Sequence, residues 1–500
     1  MNLAAAFLDH NLALRAEKVA LRTEHGAWTF RQMHDASCRY GNLLRRAGVR
    51  EEDRVLLALN DGPEFAAAWF GVVRIGAVIT MMNPGVPPED WAYYLRYTRA
   101  RALVTERSFY EANAPVIKAA KAAGLLRVVV VERDADELAA ESPVCPYGDV
   151  GADDPAVWLF SSGSTGKPKG CVHVAGDFVF NTEQYAKGVL GIREDDVTLG
   201  VPKLFFGYAT GTDLLFPWAV GATTCLFAER STPEGMLAHI ARFRPTIVTN
   251  VPTMIHRMLE SPACATTDLS SVRLVLSAGE ALPGELYRRW VERTGVEILD
   301  GIGSAEMFHI YITNRPGDVR VGTLGRLVPG YTARIVGDDG ADVPPGDIGT
   351  LWIKGDSNAI WYHGDREKSR QTFRGAWTVT GDQFCVDDEG RFRYCGRADD
   401  LLKVGGVFVS PIEVENCLLA HPRVQEVAVV GVEREGLTTT FAWVATHGAP
   451  GDDALATELQ AWVKSQLAPH KYPRQVRFLD VLPRTDRGKV ARAELKRAAT

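Results

Sequence analysis

Ser161-Ser162-Gly163-Ser164-Thr165-Gly166-Lys167-Pro168-Lys169-Gly170 follows directly on an apolar run, Ala156-Val157-Trp158-Leu159-Phe160. Successive small residues let backbone N–H groups curl into an anion-binding nest, and hydroxyls and lysines add donors and positive charge. That chemistry suits a polyphosphate; the bland alternative is a polar surface loop. A GxxxxGK[ST] loop would begin at Gly163 and need glycine where Pro168 stands. The residues after it, Cys171-Val172-His173-Val174, read as a strand. No helix N-terminus is then at hand to hold the phosphate, which disfavours a kinase or P-loop ATPase.

Other residues could work on such a ligand. Glu306 lies just past a buried run and a glycine-containing turn. A carboxylate there can hold Mg²⁺ against phosphates, or simply favour a helix N-terminus. Asp382, in Thr380-Gly381-Asp382, offers an acceptor-only side chain that suits two ribose hydroxyls, or a turn. Phe206-Gly207-Tyr208, followed by Thr210-Gly211, is a glycine-punctuated aromatic pattern. It fits close approach of a flat ligand as well as plain core. Gly207 is expected to leave room beside a bound ring. Lys489, on its own, reads as a solvated lysine.

The elements that must position these residues alternate. Phe30 to Leu44 reads as a helix, and Asp53 to Leu59 and Arg127 to Val131 read as strands. From residue 155 the alternation is regular. Strands at 156–160, 223–227, 246–251, 272–276 and 296–299 are interleaved with helices at 233–243, 252–259 and 283–294. This predicts a parallel sheet with covering helices and a site beyond the strand C-termini. Near residue 330 the pattern turns antiparallel, through Arg334-Ile335-Val336, Thr350 to Ile353 and Phe392-Arg393-Tyr394. A boundary is expected at Gly396-Arg397-Ala398-Asp399-Asp400. Beyond it come a capping box at Ser410-Pro411-Ile412-Glu413, a helix to Ala420, strands at 426–432 and 439–446, and a helix at 453–467.

Composition narrows the class. The 500 residues are 46% hydrophobic and 24% charged, with a net charge of −6. This is ordinary globular composition, without the basic excess of a nucleic-acid binder. The eight cysteines form no CxxC pair, so neither a zinc ribbon nor a disulfide scaffold is indicated, and a reducing cytosol is expected. The N-terminal stretch to Lys18 reads as an amphipathic helix rather than a signal peptide, because Asp9 and His10 interrupt it. The longest apolar stretch, Phe65 to Met82, contains Arg74 and reads as a core helix running into a strand.

The glycine-rich stretch resembles the [ST][ST]GSTGxPKG signature of the adenylate-forming acyl/aryl-CoA ligases. Further motifs stand in that family's order: Ser277 to Pro283, Asp300 to Glu306, Trp377 to Asp382, Gly396 to Lys403 and Leu482 to Lys489. Lys203 to Tyr208, the run from Leu299 to Glu306 with His309, and Ala468 to Pro473 are most similar to the benzoate-CoA ligase branch.

The resemblance implies an α/β fold. A large N-terminal domain, residues 1–397, would hold parallel-sheet subdomains and a β subdomain. A small, mobile α+β C-terminal domain, residues 398–500, would carry the lysine. It implies ATP, Mg²⁺ and coenzyme A, and an aromatic acid converted to its adenylate and then its thioester. Benzoate, 2-aminobenzoate and 4-hydroxybenzoate are all compatible.

The same resemblance assigns roles. Lys489 would bridge the substrate carboxylate and the α-phosphate, and Glu306 would hold the metal. Ser161, Ser162, Gly163, Ser164, Thr165, Gly166, Lys167 and Lys169 would take the phosphates. Gly279, Glu280 and Ala281 would form the adenine strip, and Asp300, Gly301, Ile302, Gly303 and Ser304 would border it. Asp382 would meet the ribose, and Arg397 would meet the ribose or a phosphate. Phe206, Gly207, Tyr208, Ala209, His309 and Ile310 would line the aryl pocket. Asp399 would be the hinge, and Lys403, Gly405 and Gly406 would lie against coenzyme A. Where the family commonly has a threonine before the glutamate, this chain has Ala305.

A stand-alone enzyme loading an aryl acid onto a carrier protein is the alternative, although no carrier module is expected after Lys489. A nucleotide-binding protein without catalysis is the rival from another class. No nucleic-acid or membrane partner is expected, and the assembly is expected to be a monomer or homodimer.

Overall fold

The computed structural model describes residues 1–161, 168–398, 402–404, 407–434, 437–484 and 490–499. Among the described residues the strands of the N-terminal part form two large sheets and a smaller antiparallel one. The first large sheet has seven strands. Arg54–Ala58, Val78–Met81, Ala102–Thr105, Arg127–Val130 and Pro155–Ser161 run parallel within it. Lys169–Val174 then folds back antiparallel on Pro155–Ser161, and Trp361–Tyr362 pairs with its outer edge. These antiparallel neighbours flank the candidate phosphate loop, and the strand after it is the one the sequence predicts.

The second large sheet has nine strands. Its parallel centre is Ile298–Gly303, Leu274–Ser277, Ile247–Asn250, Val197–Gly200, Thr223–Cys225 and Val19–Thr23. Asn250 pairs with Ser277, and Ser277 with Asp300, so the strands ending at Asn250 and Ser277 stop level with Asp300, from which the third strand runs on to Gly303. Antiparallel strands Ile310–Thr313 and Gly26–Thr29 extend the two sides, which the parallel expectation did not include. The third sheet contains Thr332–Val336, Gly349–Lys354, Trp377–Val386 and Phe392–Arg397.

Local sequence accounts for the helices. Thr29 caps Phe30–Arg46: its hydroxyl accepts from Gln32 N–H at 3.2 Å, and Gln32 Oε1 accepts from Thr29 N–H at 2.8 Å. Pro63–Arg74 is buried nearly all round, as its Ala, Phe and Trp content demands. Its last residue, Arg74, is buried with its guanidinium on the Asp9 carboxylate at 2.6 and 2.8 Å.

That pair explains a departure at the N-terminus. The single helix expected there is broken into Leu3–Phe7, a 3₁₀ turn at Asp9–Asn11, and Leu12–Arg15. Asp9 turns inward to Arg74, and buried Asn11 donates to the carbonyl of Trp218 at 2.9 Å. Once buried, these polar groups need partners, and the partners lie off the helix axis.

The C-terminal part builds its own apolar centre around Val409, Val414, Leu418, Val429, Val444, Leu459 and Val463. Its helices are Pro411–Leu419, Asp453–Gln466 and Arg492–Ala499. Ser410 caps the first by accepting from Glu413 N–H at 3.3 Å. The reciprocal half of the expected capping box is absent, because both Glu413 oxygens accept from Lys471 at 2.7 Å. No described helix is long and apolar enough to cross a membrane.

Candidate active site

The site is assembled where the first two sheets meet, along the run from Asp300 to Ile310. Gly303 ends a strand that pairs antiparallel with Ile310–Thr313. A Cβ at Gly303 would lie 2.5 Å from the His309 carbonyl oxygen, so only glycine permits this approach. Ala305–Met307 then forms one 3₁₀ turn, rather than the start of an α-helix. Phe308 follows at φ +64°, ψ −57°, with His309 N–H donating to the Met307 carbonyl at 2.8 Å. That is a γ-turn, a strained conformation for a residue with a side chain. It separates the Glu306 carboxylate from the buried His309 ring by only three residues.

Glu306 is held in place on several sides. Its carbonyl accepts from Ala359 N–H at 2.8 Å, and its Oε1 accepts from the Tyr362 hydroxyl at 2.7 Å. The adjacent carboxylate and burial together push the Tyr362 phenol far above its ordinary range, burial being the larger cause. Among the described residues Oε2 accepts no hydrogen bond, and no group of three or more His, Cys, Asp or Glu is poised for a metal. One half-buried carboxylate with a free oxygen suits Mg²⁺, which binds through one or two carboxylates plus phosphates and waters.

On the phosphate side, Ser162, Gly163, Ser164, Thr165, Gly166 and Lys167 lie outside the described residues. The ends of the loop are held by tyrosines that the sequence did not single out. Tyr93 and Tyr97 stack on one face of helix Pro88–Thr98. Tyr93 donates to the Pro168 carbonyl at 3.1 Å, and the Tyr97 oxygen accepts from Gly170 N–H at 3.1 Å. Lys169 is paired with Asp365 at 3.0 Å. Ser161 is half-buried at the strand end.

On the nucleoside side, Gly279 takes φ +86° at an open position beyond the strand end, with Glu280 and Ala281 half-buried after it. The Glu280 carboxylate is turned away to Thr253, accepting from its hydroxyl at 2.6 Å and its N–H at 3.2 Å. Asp300 is buried beneath this ledge, its Oδ1 accepting from the Ser277 hydroxyl at 2.8 Å. Burial pushes its carboxyl up to about 7. Its carbonyl accepts from Asn314 N–H at 3.0 Å. Gly301 and Ile302 continue in strand pairing opposite Thr313 and Ile312. Among the described residues the buried Ser304 hydroxyl has no hydrogen-bond partner.

Asp382 and Arg397 are register partners on neighbouring strands, joined at 3.1 Å. Burial raises the Asp382 carboxyl, and Arg397 opposes that rise. The remaining sequence-derived residues are beyond reach. Asp399, Gly405, Gly406 and Lys489 lie outside the described residues, and Lys403 is placed only in its backbone, paired with Phe408.

The aryl side is an aromatic enclosure. The His309 ring stands 4.7 Å from Phe216, 5.3 Å from Tyr208 and 5.5 Å from Tyr185. Its Nε2–H donates to the Tyr208 carbonyl at 3.0 Å, which fixes the tautomer. Among the described residues neither the Nδ1 atom nor the Tyr208 hydroxyl, both buried, has a hydrogen-bond partner. A Cβ at Gly211 would lie 2.4 Å from His309 Cδ2, so that glycine makes room for the ring. Ala209 and Ile310 are buried beside it, while Phe206 is 55% exposed and packs on Phe205. The space expected beside Gly207 is already occupied: a Cβ there would lie 3.0 Å from Leu159 Cδ1 and 3.4 Å from the Phe308 carbonyl oxygen. That glycine serves close packing of helix on strand, and room for ring substituents must come from elsewhere.

Burial lowers the His309 imidazole from 6.5 to about 3. Between those values the unfolded chain binds a proton that the folded chain refuses. The associated stabilisation is complete above pH 6.5 and is lost as pH falls toward 3. His309→Gln is therefore expected to flatten the dependence of melting temperature on pH between 7 and 4. An unchanged slope would contradict the buried, neutral assignment.

The chain matches the family described as AMP-binding enzyme over residues 8–363, and the AMP-binding enzyme C-terminal domain over residues 413–489. It is 42% identical to a benzoate–CoA ligase of Thauera aromatica, over 99% of this chain and 96% of that protein. An anthranilate CoA ligase solved with anthranoyl-AMP superposes with a TM-score of 0.93 at 38% identity, covering 100% of this chain and 97% of the other. A benzoate CoA ligase from Burkholderia xenovorans LB400 superposes with a TM-score of 0.89 at 40% identity, covering 99% and 100%.

Proposed function

The chain belongs to the AMP-binding enzyme family, and on that premise we propose that it is an ATP-dependent aryl-CoA ligase of the benzoate type. The observation that carries this reading is the joining of a carboxylate, Glu306, one oxygen of which accepts no hydrogen bond among the described residues, to an aromatic enclosure around His309 by a single strained turn. An aromatic acid bound in the enclosure would place its carboxylate toward the phosphate loop.

The chemistry proceeds in two displacements. A carboxylate oxygen attacks the α-phosphorus of ATP and pyrophosphate leaves, giving an aryl adenylate. The thiolate of coenzyme A then attacks the acyl carbon, and AMP leaves with that carboxylate oxygen. The protein contributes positioning and charge stabilisation in the first step. Lys489 neutralises charge between carboxylate and α-phosphate. Residues 161–167 and Lys169 hold the phosphates, and Lys169 exchanges its Asp365 partner for them. Asp382 and Arg397 orient the ribose, and the ledge at Gly279 to Ala281, backed by Asp300 to Ser304, carries adenine. Mg²⁺ bound at Glu306 would supply a counter-charge to the phosphates.

The division at residues 397 and 398, with Asp399 as hinge, allows the C-terminal domain to bring Lys489 to the first step. In the second step Lys403, Gly405 and Gly406 would move to the pantetheine. Hinges of this kind are a few residues that absorb a large backbone change. The eight cysteines are free thiols, which suits a reducing cytosol.

The reading is tested by ATP–pyrophosphate exchange over benzoate, 2-aminobenzoate, 4-hydroxybenzoate and a medium-chain fatty acid. Exchange is expected with the aryl acids. Preference for the fatty acid would overturn the pocket assignment.

A further inference from the structure

His173 has no part in the chemistry described so far, yet it is fully buried and touches the backbone of the Glu306 turn. It lies on Lys169–Val174, the strand that leaves the phosphate loop. Its Nδ1 is 2.6 Å from Asp177 Oδ2, and its Nε2 is 2.6 Å from the Ala305 carbonyl oxygen. A carbonyl can only accept, so Nε2 carries a proton in either protonation state of the His173–Asp177 pair. Asp177 is itself buried, and its Oδ2 also accepts from Val174 N–H at 3.3 Å. Carboxylate, imidazole and carbonyl therefore stand in a line that ends on the peptide joining Ala305 to Glu306.

The turn needs such an outside support. It is one 3₁₀ turn of three residues, followed by the strained Phe308, and Ala305 has no polar side chain to anchor it. The same strand also reaches Glu306 by a second route. It pairs with Trp361–Tyr362, in register Tyr362 with Cys171, and the Tyr362 hydroxyl donates to Glu306 Oε1. The strand bearing the phosphate loop thus fixes both the peptide before Glu306 and one of its carboxylate oxygens.

We propose that His173, oriented by Asp177, is a positioning residue that sets the Glu306 carboxylate relative to the phosphate loop. This rests on the adenylation reading above. Partners that orient metal-binding groups typically carry about 10–100-fold of metal affinity. His173→Ala is therefore expected to raise the Mg²⁺ concentration for half-maximal ATP–pyrophosphate exchange by about tenfold or more, while the KM for the aryl acid stays within about twofold. In the absence of turnover, Mn²⁺–ATP binding followed by electron paramagnetic resonance should weaken to a similar degree. His173→Gln, which can present an N–H near the Nε2 position, should recover most of both.

Asp177→Asn keeps the size of the side chain and serves if His173→Ala does not fold; it should shift the Mn²⁺–ATP affinity in the same direction by a smaller factor. Unchanged Mn²⁺–ATP binding in a folded variant would overturn the proposal. So would an equal rise in the metal requirement and the aryl-acid KM, the mark of general loosening. Failure of the unaltered chain to exchange pyrophosphate with any aryl acid would instead overturn the adenylation reading, so the two failures are distinguishable.

Discussion

Lys489→Ala is expected to reduce aryl-acid-dependent ATP–pyrophosphate exchange by at least about 100-fold, equivalent to about 2.7 kcal/mol of transition-state stabilisation. It should leave thioester formation from supplied aryl adenylate and coenzyme A within a few-fold of the unaltered protein. The physical ground is that adenylation brings a carboxylate against a triphosphate, so charge accumulates at one point in that step alone. Once the adenylate exists, the carboxylate charge is gone, and the thiolate attacks a neutral acyl carbon. A lysine that acts on the first step but not the second therefore separates the half-reactions. Equal losses in both would assign Lys489 to folding or domain placement. The flanking residues Arg484 and Val490 pair with each other, and Arg484 is bound to Glu426 at 2.5 Å. The substitution should accordingly leave the C-terminal core intact.

Glu306→Gln carries the second large effect. The substitution preserves size and can keep a carbonyl oxygen toward the Tyr362 hydroxyl, so the turn should survive. It removes the negative charge that would hold a divalent cation against the phosphates. Exchange should fall by about 10–100-fold, with a matching rise in the Mg²⁺ requirement. Tyr362→Phe is the informative companion: it leaves the charge and removes the hydrogen bond to Glu306, worth about 0.5–1.5 kcal/mol, or 1.5–3 to a charged group. If Glu306→Gln and Tyr362→Phe lose activity equally, the carboxylate is serving as an acceptor for the tyrosine and not as a ligand.

Legibility in the sequence followed a physical rule. The strands at 156–160, 246–251 and 272–276, and the helix at 233–243, were readable because apolar periodicity and proline starts are local signals. The alignment of Asn250, Ser277 and Asp300 across neighbouring strands also follows from a parallel sheet, which puts chemistry at the C-terminal ends. Glu306 was readable as a carboxylate past a buried strand. Its partners were not. Tyr362 sits on a strand of two residues, too short for any period, and reaches Glu306 only through pairing with the strand after the phosphate loop. Tyr93 and Tyr97 drew no reading from the sequence; their hydroxyl contacts with Pro168 and Gly170 depend on how their helix lies on the sheet. The room inferred beside Gly207 failed for a related reason. A glycine shows that something comes close, and here the neighbour is Leu159 of the protein rather than a ligand.

The Phe308 turn was equally hidden, since nothing in phenylalanine announces a positive φ. It costs of order 1–3 kcal/mol and persists because its surroundings over-determine it. Phe308 packs against Phe178 at 4.3 Å between ring centroids, while nearby Glu306 and His309 are tied down by Ala359 and Tyr208.

The central claim is that an aromatic carboxylate is joined to AMP before it meets a thiol. Incubation with benzoate labelled with ¹⁸O in both carboxylate oxygens, ATP and coenzyme A, followed by mass spectrometry of the nucleotide product, tests this bond by bond. One labelled oxygen should appear in AMP and one should remain in the benzoyl thioester. Unlabelled AMP, or label carried into orthophosphate alongside ADP, would contradict it.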